Sequence, residues 1–331
     1  MRSDRSLYRL IFAIAFAIAI PLLILGQGSQ PITSVQQRSV NLSFIVVDSS
    51  NHSLNDIQKD EIRVFENKLP QTISSFSKTD KSVDYGIAID TSGSFKSLLP
   101  VVIQAVQRLV ENQPLNDQCF IERFISSDKI ETMQEFTSDK AALLEPLPSL
   151  KIGGGQSAVI DAIYLAIKHI AERPSDPQRR RALVLFTDGE DRASFYSQAQ
   201  LLRLLRGTDV QLFIIGLMGE LNNQRGLIRP SPREKARDFL ETIARETGGR
   251  LFFPSKNEEL SEALEQTFHD LHVQYEISYQ TTDLRPDNFR PVRIEVVESL
   301  SRQKITVITR PGYYLTPPEL GTKDKKKTKE P

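Results

Sequence analysis

The chain of 331 residues has a single cysteine, Cys119, so no internal disulfide can form. Cys119 sits in the apolar run Cys-Phe-Ile and reads as a small buried hydrophobe rather than a reactive thiol. Charge of one sign is equally absent. The 42 Lys and Arg balance 42 Asp and Glu, so no global field draws the chain to nucleic acid. Histidine is scarce, at four residues, and only His269 and His272 stand at a spacing that could share a metal. Surface or helix-end positions are the commoner explanation for such a pair. No repeat of 20–50 residues is visible. The glycine run Gly153-Gly154-Gly155 is not followed by Gly-Lys-Ser/Thr, which excludes a phosphate-binding P-loop. Asp-Thr-Ser-Gly at 90–93 lacks the doubled Asp-Thr-Gly of aspartic proteases, and no Ser-His-Asp arrangement can be argued, so enzyme readings are thin.

What is present begins with an address. Arg2, Arg5 and Arg9 precede the apolar run Leu10–Leu25, and Gly26-Gln27-Gly28-Ser29-Gln30 follows it. A basic end, an apolar core and a small-residue exit form an export signal. The run is long for a cleaved signal and short for a spanning helix, and Pro21 interrupts it. Residues 1–28 therefore read as a signal peptide or an N-terminal membrane anchor, in preference to a buried core helix. Either one places the remainder outside the cytoplasm, periplasmic or secreted, with the arginines inside.

After a polar linker, Val40–Val47 and Ile62–Glu66 read as strands, with a turn at Asn67-Lys68 and a third strand near Thr72–Phe76. This segment, 38–80, is too small to bury a core alone. From Val83 the pattern alternates. A strand leads to a helix carrying Leu99, Ile103, Val106 and Val110, and Cys119–Ile125 and Ile130–Phe136 form a strand pair. Ala182–Phe186 and Val210–Leu217 are nearly continuous apolar runs, as strands covered on both faces are. Helices are expected through Ile163–Ile170, Gln198–Leu205, Glu234–Thr247 and Leu260–Leu271, with Gly248-Gly249 as a stop and Leu221–Arg233 as a surface loop. The implied class is α/β, a doubly wound and mostly parallel sheet over 82–272. Three further strands follow in 273–315, and these pair with 38–80 as a small all-β unit. Residues 316–331 make a lysine-rich, solvated tail.

The whole is organised around Gly86-Ile87-Ala88-Ile89-Asp90-Thr91-Ser92-Gly93-Ser94. An apolar strand stops at a carboxylate, and hydroxyls follow at alternate positions. Ligands of open α/β sheets sit at the carboxyl ends of strands. Two further loops belong to that edge: Gly153-Gly154-Gly155-Gln156-Ser157 before a helix, and Thr187-Asp188-Gly189-Glu190-Asp191 after a buried strand. All of these offer oxygen, the choice of hard cations. Glu190 and Asp191 read as solvated loop charges.

With these motifs the chain resembles von Willebrand factor type A domains, Rossmann-like folds with a metal-ion-dependent adhesion site. Asp90-Thr91-Ser92-Gly93-Ser94 stands as Asp-x-Ser-x-Ser, Ser157 stands where the family has Thr, and Asp188 follows the central strand. The flanks Asp60–Asn67 and Arg310-Pro311-Gly312-Tyr313-Tyr314 are similar to a bacterial, extracytoplasmic subgroup. The resemblance implies a Mg²⁺ site, open also to Mn²⁺ or Ca²⁺. Ser92 and Ser94 would bind directly, Ser157 directly or through water, and Asp90 and Asp188 mostly through water. It implies a protein partner with an exposed Asp or Glu that completes the coordination, and binding without catalysis. Asp90 itself is expected on the rim of the sheet. The alternatives are a structural component of an envelope complex with a vestigial site and, behind it, a metal-assisted hydrolase.

Overall fold

The computed structural model describes residues 38–219, 221, 230–285, 288–297 and 304–315. The expected signal or anchor (1–28), the basic tail (316–331) and most of the loop 221–233 lie outside the described residues. Among those described, no helix is long and apolar enough to cross a membrane.

The chain opens with strands β1 (Arg38–Val47), β2 (Ile62–Glu66), β3 (Leu69–Gln71) and β4 (Ile73–Asp80). The alternating part runs β5 (Ser82–Asp90), α1 (Leu99–Asn112), β6 (Gln118–Phe124), β7 (Ile130–Thr137), α2 (Lys140–Leu144) and α3 (Val159–Ala171). It continues with β8 (Arg179–Thr187), α4 (Gln198–Gly207), β9 (Gln211–Gly216), α5 (Pro232–Thr247), β10 (Leu251–Phe252) and α6 (Asn257–His272). The last strands are β11 (Val273–Thr281), β12 (Arg290–Val296), β13 (Thr306–Ile308) and β14 (Gly312–Tyr313).

Six strands form the central sheet in the order β10-β9-β8-β5-β6-β7, all parallel except the β6–β7 hairpin. Period-2 alternation sorts its side chains into two cores. Val83, Tyr85, Ile87 and Ile89 of β5, with Ala182, Val184 and Phe186 of β8, pack under α1 and α6. Ala88, Leu183, Leu185, Leu212 and Ile214 face the opposite layer of α3, α4 and α5. Double burial is why β8 and β9 read as unbroken apolar runs. Gly86 keeps that second face flat enough for Phe120, whose ring would lie 2.2 Å from an added Cβ.

The helix ends follow their sequence signals. Ser197 and Ser231 make capping boxes with Gln200 and Glu234, and Gly248 ends α5 in the left-handed region at φ 66°.

Terminal segments meet in a β-sandwich of two four-stranded sheets, β13-β1-β11-β4 and β14-β12-β2-β3. Each sheet mixes early and late strands: β1 pairs antiparallel with β11 (Leu42 opposite Ile277), and β2 with β12 (Val64 opposite Ile294). Val40, Leu42, Phe44 and Val46 fill the sandwich core, while Ile45 and Val47 on the other face of β1 join the core under α1 and α6. The sandwich is thus fused to the α/β layer through β1, with Ile308 of β13 and Gln274 of β11 adding contacts to it. The expected turn at Asn67-Lys68 is a tight hairpin with φ of 50° and 68°. The third strand differs from expectation. It is two strands, β3 and β4, which pass from one sheet to the other at Thr72.

Candidate metal centre

Parallel pairing of β5 with β8 places Ile89 opposite Phe186, so Asp90 and the Thr187-Asp188 pair leave the sheet side by side. Beyond Asp90 the chain bends through a 3₁₀ turn, Gly93–Phe95, pinned by the fully buried ring of Phe95. The glycine loop closes the third side. Gly153 N donates to the Thr91 carbonyl (3.0 Å), and Ala158 N donates to that of Ile125 (2.8 Å). Gly155 is needed because its φ is 150°, whereas an added Cβ at Gly153 would meet only the flexible tip of Ile125.

The five residues singled out in the sequence converge here. Ser92 N donates to Asp90 Oδ1 (2.9 Å), and Ser157 Oγ donates to Asp90 Oδ2 (3.2 Å). The Ser92 and Ser94 hydroxyls lie 3.3 Å apart, and Ser94 hydrogen-bonds to the Asp188 carboxylate. Glu190 N donates to Asp188 Oδ1 (2.9 Å). Asp188 Oδ2 is buried and has no partner.

Asp90 departs from the expected rim position. It is fully buried, because Thr187, Ser157 and the turn at Ser92 close over it. Burial, then the charge of Asp188, push its carboxyl up to about 6, against the opposing hydrogen bonds from Ser92 and Thr187. Burial also raises Asp188, against the bonds from Ser94 and Glu190. Neither carboxylate has an ion-pair partner among the described residues, so two buried negative groups face each other with only hydrogen bonds and, for Asp188, the charge of Arg192 against their burial. Neutral hydroxyls around a doubly negative, under-satisfied pocket fit a hard divalent cation. Asp188 Oδ2, lacking a donor, is the observation that decides this fit. The centre is built on hydroxyls. No group of three or more His, Cys, Asp or Glu that could hold a metal occurs among the described residues.

Three supporting residues were not read from the sequence. Thr187 Oγ1 donates to Asp90 Oδ2 (2.9 Å) and accepts from Gly189 N (3.0 Å). Its place, one residue before Asp188 at a strand end, is the only signal it offered. Phe95 reads as part of a helix start. Asp161, on the first turn of α3, accepts from Phe195 N (2.7 Å), Tyr196 N (2.8 Å) and the Ser127 hydroxyl. It thereby fastens the 191–196 loop, whose Arg192 and Ala193 amides in turn hold the Ser157 carbonyl. Asp191 is likewise structural, accepting from Ile160 N (3.1 Å) at the start of α3, while Glu190 pairs with Arg192 (2.6 Å).

The two spaced histidines do not converge on a ligand. His272 pairs with buried Asp117 (2.6 Å), and His269 contacts Asp270 (2.8 Å). Cys119 is fully buried, and burial pushes its thiol well above the usual range.

Residues 86–190, which span the whole constellation, match the von Willebrand factor type A domain. Over those residues the chain is similar to that family's domain, and additional antiparallel sheets flank the central sheet. Among solved structures it is similar to an aerotolerance-related membrane protein from Bacteroides fragilis. That match has 21% identity and a TM-score of 0.44, covering 57% of this chain and 100% of that one. It is similar also to a von Willebrand factor type A protein from Catenulispora acidiphila, with 13% identity, a TM-score of 0.44 and coverage of 77% and 75%. The manganese-loaded TRAP protein of Plasmodium vivax gives 16% identity, a TM-score of 0.41 and coverage of 72% and 98%. No curated protein sequence matches the chain significantly.

Proposed function

We propose that this protein is an exported, metal-dependent protein-binding module. Ser92, Ser94 and Ser157 hold Mg²⁺ or a similar divalent ion, with Asp90 and Asp188 supplying the negative charge. Neutral hydroxyls leave such an ion electrophilic, so an Asp or Glu of a partner protein can complete its coordination. The chain's own part is positional. Asp90 orients the Ser157 and Thr187 hydroxyls, and Ser94 and the Glu190 amide orient Asp188. Reading the three hydroxyls as holders of the ion supports binding rather than turnover. The arginines and apolar run at the N-terminus support an extracytoplasmic location, by cleavage or by anchoring in the inner membrane.

The observation that carries this reading is the buried Asp188 oxygen without a donor, beside a second carboxylate raised to about 6. Thermal denaturation of chelator-treated protein against MgCl₂ and MnCl₂ tests it. Saturable stabilisation is expected, about 2.7 kcal/mol at 100 times the Kd. Ser92→Ala and Asp188→Asn remove the response, and an immobilised Glu-bearing partner peptide is released by chelator. A flat titration in the native protein makes the domain a structural component instead.

A further inference from the structure

The end of the sheet opposite the metal centre has its own unfinished chemistry. Between the amino ends of β5, β8 and β9 and the sandwich strands β1 and β11 lies a crevice of about 430 Å³. Five cationic side chains line it, Lys81, the run Arg179–Arg181 and Arg310, against three carboxylates, Asp176, Asp209 and Glu276.

Most of these charges are spent. Arg179 grips Asp84 through two nitrogens (2.6 and 2.9 Å) and also reaches the Asn116 carbonyl. Lys81 pairs with Glu276 (2.8 Å), and Arg181 pairs with Asp209 (3.3 Å). Among the described residues, two guanidiniums keep donors without a protein partner, one buried and one partly exposed. Arg180, only 7% exposed, binds the His272 carbonyl, Thr79 and Glu276, yet its Nε is buried without a partner. Arg310 donates Nη2 to the Thr208 carbonyl and makes no ion pair among the described residues. Burial lowers its pKa, and the carboxylates of Asp209 and Glu246 oppose this only from a distance. An arginine carries five donors in a planar fork; those of the partly exposed Arg310 are open to an incoming acceptor, and the buried Arg180 Nε is the one left idle away from water.

We propose that this crevice binds a compact dianion, a phosphate group either free or as a small phosphomonoester, with Arg310 as the principal contact backed by Arg180. The forked guanidinium suits phosphate oxygens, and the volume falls within the usual range for small-ligand sites. The two arginines belong to different parts of the fold, Arg180 to β8 and Arg310 to the chain after β13. A bound phosphate therefore ties the sandwich to the α/β layer and stabilises both.

The test uses the full chain, with chelator present so that the metal centre is silent. Inorganic phosphate and glycerol phosphate are titrated against sodium chloride of equal ionic strength, by thermal denaturation and calorimetry. Saturable stabilisation by phosphate beyond the chloride response is expected, and tighter binding of glycerol phosphate identifies the monoester as the preferred form. Arg310→Gln weakens binding about ten-fold or more. Arg310→Lys, which keeps the charge but loses the fork, weakens it less and guards against a folding defect in the first variant. A phosphate response no larger than that of chloride, or unchanged affinity in a folded Arg310→Gln protein, overturns the proposal and leaves an internal ion network.

Discussion

Replacing Asp90 by Asn separates the cost of the centre from its use. Without metal, Asp90 is a buried carboxylate raised from an ordinary 3.8 to about 6. Its folded-state pKa lies above the unfolded one, so the folded protein holds the proton more tightly. Stability is then full below pH 3.8 and falls as pH rises to about 6, after which both states are ionised and the loss is constant. A shift of about two units corresponds to about 3 kcal/mol. Asn has nearly the same shape and no charge. Its Oδ1 still accepts from Ser92 N, and its amide can donate to the Thr187 and Ser157 hydroxyls, which rotate to accept. Chelator-treated Asp90→Asn is therefore expected to exceed the native protein in stability by up to about 3 kcal/mol at pH 7, and to match it near pH 3.8. Mg²⁺ at about 1,000 times the Kd, worth about 4.1 kcal/mol, reverses the order, because only the native protein gains from it. Urea denaturation of both proteins from pH 4 to 8, with and without MgCl₂, reads the difference and cancels the titrating groups that do not interact with Asp90. If Asp90→Asn is the less stable at pH 7 without metal, or if both proteins answer Mg²⁺ equally, the electrostatic account of this site is wrong.

Two further outcomes follow from the packing at the opposite end of the sheet. Asp117 is fully buried, pairs with His272 (2.6 Å) and accepts from Val83 N (2.8 Å). Burial works against the imidazolium, but Asp117 and the Phe268 carbonyl outweigh it and raise its pKa. Its stabilisation is therefore present below about pH 6.5 and lost as pH rises through the raised value. Asp117→Asn should cost about 3–5 kcal/mol by urea denaturation at pH 6, and clearly less at pH 9. Gly249→Ala puts a Cβ at 1.9 Å from the Leu212 carbonyl oxygen, a backbone atom that cannot step aside. A loss of about 3 kcal/mol, the upper end for overpacking, is expected in the same assay. A loss below about 1 kcal/mol would mean that the approach of α5 to β9 is not tight.

What could be read beforehand divides by the range of the cause. The unbroken apolar runs of β8 and β9 announced strands covered on both faces, because burial on two sides leaves no position for a polar residue. The hydroxyls of Ser92, Ser94 and Ser157 were legible because each stands within two residues of a glycine and near a strand or helix end, and local grammar marks such places. Strands as short as β3, β10 and β14 carry too few residues to show a period, and their existence depends on a neighbour far along the chain. Depth was hidden for the same reason. Nothing local distinguishes a carboxylate on the lip of a sheet from one sealed beneath Thr187 and Ser157, since the seal comes from residues 97 and 67 positions away. That distinction matters chemically. An exposed Asp90 would be an ordinary turn residue at ease in water, whereas the sealed one is a charge with nowhere to discharge. The long-range contacts that sequence periodicity misses are therefore the ones that turn a recognisable motif into a site with a demand for a cation.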